Sequence, residues 1–286
     1  MAEMATLCID RAFARIDDGL VHYRAVGGPN GRPPLVLLHA APGGSSGLQH
    51  LMRALREADP HRHLLAPDML GHGDSEPTPH PTPDIAYYAR SMLQLLDRLG
   101  HGQVDLYGTH TGARIACEAA LLAPDRVRTV IFDGITDYDP DTRTLLLKRY
   151  APEMQPDEYG RHFVWAFHFV RDMWIFFPHF ARDASSCLSR GVPDAETLHE
   201  AAMDVLRGLT SYHKAYLAAF AYETRQRLKL VQQPCLFISN TGELPQLQSS
   251  IAGFAGLMQN AETAGVQGTP ASTATAMLRH LKDITA

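Results

Sequence analysis

No apolar run in this 286-residue chain is long enough to cross a bilayer, and Met1 to Asp10 carry neither a basic leader nor a continuous apolar segment. Both absences point away from a membrane and from a secretory signal, so the expected location is the cytoplasm. Cysteine is scarce. Cys8, Cys117, Cys187 and Cys235 lie far apart without C-x-x-C spacing, which argues against a zinc site or a disulfide framework; they are expected to be reduced and mostly buried. Neither sign of charge dominates: 26 basic and 31 acidic side chains are interspersed for a net charge of −5, with no basic stripe for nucleic acid. There is no G-x-x-x-x-G-K-[ST] or G-x-G-x-x-G loop, and none of the fifteen histidines has H-E-x-x-H spacing. No cofactor and no metal are therefore expected, and histidines such as His61 and His63 read as surface residues. The expected partner is a small-molecule substrate or ligand, and the composition is compatible with a homodimer.

What is present is an ordinary globular composition, 45% apolar and 20% charged, at a length that suits one α/β core with an insertion. Residues 11–26 hold two strand-like stretches around Asp17-Asp18-Gly19, a hairpin signal. Four buried-strand candidates follow: Pro34–His39, His63–Asp68, Gln103–Tyr107 and Arg128–Asp133. Helical stretches near 47–58, 84–99 and 112–123 separate them, and this alternation implies a parallel sheet. Residues 138–230 show no convincing strand, only helical segments rich in aromatics. The alternation resumes at Cys235–Ser239, with a helix near 246–257, a weak strand near 261–266 and a last helix near 272–284.

The densest motif is Gly108-Thr109-His110-Thr111-Gly112, lying between a strand and an alanine-rich helix. It resembles the nucleophile elbow of the α/β-hydrolase superfamily, with a histidine where that fold carries its serine. Two further stretches carry the resemblance: His39-Ala-Ala-Pro-Gly-Gly-Ser-Ser46 is similar to the H-G-x-P loop after the third strand, and Asp68-Met-Leu-Gly-His-Gly-Asp-Ser75 to the D-x-x-G-H-G-x-S stretch. The latter is read as structural. The resemblance implies an α/β-hydrolase fold: a mostly parallel central sheet flanked by helices, with a core of 1–136 and 231–286 and a helical cap of 137–230 inserted after the sixth strand. It also implies an oxyanion hole formed by the backbone N–H groups of Ala41 and Thr111.

The sequence departs from the superfamily's triad. Glu243 suits the acid position, but no histidine follows the last strand, where the chain reads Val266-Gln-Gly-Thr-Pro-Ala271; His280 falls in the terminal helix. A serine-histidine-acid system is thus not expected. His110 stands at the amino end of a helix, whose dipole favours the neutral imidazole, a base; the resemblance implies that Asp133 or Glu243 could orient it, and such a carboxylate would favour the protonated ring instead. Substrate contacts are sought at Ser45 and Ser46 in the oxyanion loop and at Trp165, His168 and Arg171 in the cap. For these the alternatives are a plain turn and an intrahelical ion pair with packed aromatics. Two functions stay open: an enzyme acting on a small, largely apolar carbonyl or ester-type substrate by hydrolysis or lyase/decarboxylase chemistry, and a ligand-binding protein without turnover.

Overall fold

The computed structural model describes residues 8–188, 191–241 and 244–284. Its centre is an eight-stranded sheet, made of β1 (Asp10–Ile16), β2 (Gly19–Val26), β3 (Leu35–Leu38), β4 (Leu64–Pro67), β5 (Val104–Thr109), β6 (Val127–Asp133), β7 (Cys235–Asn240) and β8 (Ala261–Val266). The spatial order is β1-β2-β4-β3-β5-β6-β7-β8. The opening hairpin β1–β2 is antiparallel and joins β4 antiparallel; every later pairing is parallel.

The helices are α1 (Gln49–Ala58), α2 (Ile85–Arg98), α3 (Thr111–Leu122), α4 (Pro140–Arg149), α5 (Arg161–Ile175), α6 (Ala195–Arg207), α7 (Tyr212–Ala221), α8 (Thr224–Leu228), α9 (Pro245–Ala255) and α10 (Pro270–Asp283). Aspartates cap three of them: Asp84, Asp139 and Asp194 each accept a backbone N–H from the first turn that has no intrahelical acceptor. None of the helices in the described residues is long and apolar enough to cross a membrane.

Continuous apolar strands are what a two-sided sheet requires, because successive side chains point to opposite faces. On β3, Val36 and Leu38 join a core with α2 and α3 residues such as Met92 and Ile115. Leu35 and Leu37 pack with Met52 and Leu55 of α1 and Met277 and Leu281 of α10. Strand β7 divides in the same way, Phe237 to one side and Leu236 and Ile238 to the other. Helices α4 to α8 lie between β6 and β7, and the described residues of this segment form no strand of the sheet.

Two expectations need correction. Cys117 and Cys235 are buried in the core, but Cys8 and Cys187 are exposed, so the thiols are not mostly buried. Nor are the histidines chiefly surface residues: His22, His39, His63 and His72 are all buried. Hydrogen bonding explains part of this. The His39 ring accepts the Met69 N–H at Nε2 (3.0 Å) and donates from Nδ1 to the Ala40 carbonyl (2.8 Å), and His22 Nδ1 lies 2.8 Å from Asp68 Oδ2. His63 instead meets the edge of the His101 ring, 5.2 Å between centroids.

Candidate active site

In the parallel part of the sheet, β3 has β4 on one side and β5 on the other, so the chain leaves β3 in one direction and later returns on its far side. At such a switch point the loops beyond the carboxyl ends of the two strands diverge and leave a crevice. Two of the motif stretches meet there: the loop after β3, with Ala40, Ala41 and Pro42, and the β5–α3 turn at His110.

His110 is the one non-glycine residue with positive φ among the described residues (φ 49°, ψ −104°). Such a conformation costs of the order of 1–3 kcal/mol and persists only where the surroundings impose it. Here they do. The His110 N–H donates to the Asp133 carbonyl (2.9 Å), continuing the β5–β6 pairing, while the chain turns at once into α3. The flanking glycines are obligatory by contact: a Cβ on Gly108 would lie 2.3 Å from the Gly112 carbonyl oxygen, and one on Gly112 would lie 2.2 Å from that of Leu38. A Cβ on Gly134 would fall 2.8 to 3.0 Å from three atoms of the His110 imidazole, so the ring rests face-on against that glycine.

The ring borders a cavity of about 570 Å³, within the usual range for a small-molecule site. The core contributes Ala41, His110, Thr111, Arg114, Gly134, Thr136, Asn240 at the end of β7, Leu244 and Gly268. The segment between β6 and β7 contributes Tyr138, Tyr150, Met173, Trp174, Phe177, Tyr216 and Phe220. Thr111 opens α3, so its N–H is one of the four that a helix start leaves without an intrahelical acceptor.

Not every expected site residue comes to this cavity. Asp133 is buried and meets His110 through the backbone; its carboxylate accepts the Tyr107 hydroxyl (2.8 Å), and it is not among the lining residues. Glu243 lies outside the described residues. Ser45 and Ser46 make the turn: the Ser45 N–H donates to Asp68 Oδ1 (2.5 Å), and the Ser46 hydroxyl reaches the Asp204 carboxylate of α6 (3.0 Å). Trp165 packs on Phe169 and Tyr212, and His168 meets the edge of Phe167. Arg171 pairs with buried Asp172 (2.7 Å), which Arg182 clamps from its other oxygen (2.7 Å). The cavity meets α5 only at its last turn, through Met173 and Trp174, while Trp165, His168 and Arg171 lie earlier in the helix and are held in those other contacts. His280 is likewise remote in role, its Nε2 2.7 Å from the Thr129 hydroxyl and its Nδ1 paired with Glu262.

The Asp68 stretch braces the site from behind. Burial would raise the pKa of its carboxyl, but the His22 ring and the N–H groups of Ser45 and Asp74 hold it well below the usual carboxylate range. His22, Asp68 and Asp74 are near enough together to hold a cation, yet their polar atoms already serve these contacts and the Arg11–Asp74 pair. The chain has the α/β-hydrolase fold. The family model for that fold matches residues 33–167. A thermophilic esterase from Thermogutta terrifontis superposes with a TM-score of 0.69 at 16% identity, covering 97% of this chain and all of that one. In sequence, the chain is 33% identical over 106 residues to a 2-hydroxymuconate semialdehyde hydrolase of Pseudomonas sp., and 34% identical over 117 residues to epoxide hydrolase A of Mycobacterium tuberculosis. These matches take in 35% and 40% of this chain, and the chain spans only 36% of the length of each of the two relatives.

Sequence reasoning passed over Arg114, Gly134 and the aromatic wall. Arg114 did leave a signal, as a charged residue within the apolar run Gly112-Ala-Arg-Ile-Ala116. The wall left none that fixes which face of each helix turns inward.

Proposed function

We propose that this protein is a hydrolase-type enzyme acting on a small, largely apolar carbonyl or ester-type substrate, with His110 as its proton-transferring group. The observation that carries the reading is the strained backbone at His110, which sets the imidazole at the wall of an aromatic-lined cavity. Residues 137–230 act as the cap, and the N–H groups of Ala41 and Thr111, both at the cavity wall, serve as the oxyanion hole. In the forward step His110 takes a proton from water, hydroxide adds to the substrate carbonyl carbon, and the electron pair displaced onto oxygen is held by the two N–H groups. Collapse expels the leaving group, which recovers the proton from the imidazolium. Asp133, anchored by Tyr107, or Glu243 orients the ring. The named hydrolases among the relatives support hydrolysis of a small molecule.

One observation favours the second reading, ligand binding without turnover. Gly268 borders the cavity in the loop after β8, where the superfamily's histidine is expected, and His280 is committed to Thr129 and Glu262. A panel of esters, lactones, β-keto acids and epoxides separates the two. Turnover of at least one class supports the enzyme, and inertness toward all supports the binder. A fluorophosphonate probe is expected to leave no adduct; labelling of a serine would place the nucleophile elsewhere.

A further inference from the structure

Arg114 sits one helical turn after His110 and is 4% exposed. A guanidinium stays charged in proteins, and a buried charge is stable only when it is paired or fully hydrogen-bonded. Among the described residues the other well-buried arginine, Arg62, meets that need with Asp105. Arg114 does not: its Nη1 donates to the His110 carbonyl (3.1 Å) and its Nη2 to the Thr136 carbonyl (2.7 Å), its Nε–H is buried without a partner, and among the described residues no carboxylate lies within 4.0 Å. Burial lowers its pKa, a shift only partly offset by Asp137, whose carboxylate is paired with Arg143. Arg114 lines the 570 Å³ cavity. Flat faces line the same cavity: Tyr138 stacks on Phe177 at 18° and Tyr216 on Phe220 at 22°. Such faces favour a planar occupant.

We propose that Arg114 is an anion subsite and that the cavity takes a planar, aromatic or conjugated carboxylate whose carboxylate group meets the Arg114 guanidinium. The inference rests on the cavity being the substrate site. The Arg114 Nη1 stands 3.1 Å from the His110 carbonyl, so a carboxylate on this guanidinium lies only a few bonds from the carbon that reacts near His110. The bound carboxylate supplies the missing countercharge, and a neutral amide of the same shape does not.

Calorimetric titration of the full chain with benzoate and cinnamate, against benzamide and cinnamamide, tests this. The carboxylates are expected to bind at least tenfold more tightly, about 1.4 kcal/mol. Arg114→Gln is expected to abolish that preference, and His110→Ala to keep it. Equal affinity of acid and amide for the unaltered protein overturns the proposal, as does absence of carboxylate binding at millimolar concentration, or a preference that survives in folded Arg114→Gln. Should that variant not fold, the acid–amide comparison on the unaltered protein decides alone. If His110→Ala proves as active as the parent while the carboxylate preference stands, the catalytic role fails and the subsite does not.

Discussion

At the residue scale, small groups that touch the imidazole or brace the loops around it set the geometry of the site. Gly134 combines positive φ (69°) with contact against the ring, so Gly134→Ala both strains the backbone and displaces His110. Turnover is expected to fall at least tenfold, with a stability loss of about 1 kcal/mol, read from kinetics beside thermal melts. His72 gives a pH test. Complete burial pushes its imidazole down to about 3, from 6.5 when unfolded. The unfolded chain thus binds this proton more readily, and the contribution of neutral His72 is complete above pH 6.5 and lost as pH falls toward 3. His72→Leu is expected to flatten the stability profile in that window by about 1.4 kcal/mol per pH unit, measured by denaturant titration. A parallel profile for the variant would remove His72 from the acid sensitivity.

At the scale of elements, the sheet carries its heaviest charge away from the cavity, toward the amino ends of β5 and β6. Asp105 is fully buried, with Arg128 bound to both carboxylate oxygens at 2.7 and 2.8 Å and Arg62 paired to it as well. Removing the anion leaves Arg62 buried and uncompensated. Asp105→Ala is expected to destabilise the fold by about 3–5 kcal/mol while leaving KM unchanged in the protein that remains folded. An unaltered melting curve would contradict this. The strands themselves were legible from sequence, because a strand covered on both faces must read as a short apolar run: Leu35–Leu38 and Cys235–Ile238 announce themselves. The phase of α5 was not. Its helix has Phe163, Val164 and Phe167 exposed and Phe169 and Val170 buried, so hydrophobicity alone assigns no inward face and does not distinguish Trp165 from Trp174, which borders the cavity.

At the scale of the whole molecule, three sequence stretches more than 20 residues apart converge because the parallel sheet brings the ends of β3 and β5 together and Asp68 ties the loops behind them. Order along the chain therefore revealed the elbow, the loop after β3 and the lack of a histidine after β8. The cavity wall was hidden, since it is assembled from faces of the helices between β6 and β7 whose packing no local pattern encodes. So was the isolation of Arg114, which depends on what does not approach it in space. The most direct test of the central claim is kcat/KM of His110→Ala against the unaltered protein on whichever substrate class is turned over. A loss of about 10²- to 10⁴-fold with the fold intact is expected; equal turnover by the two proteins would contradict a catalytic role for His110.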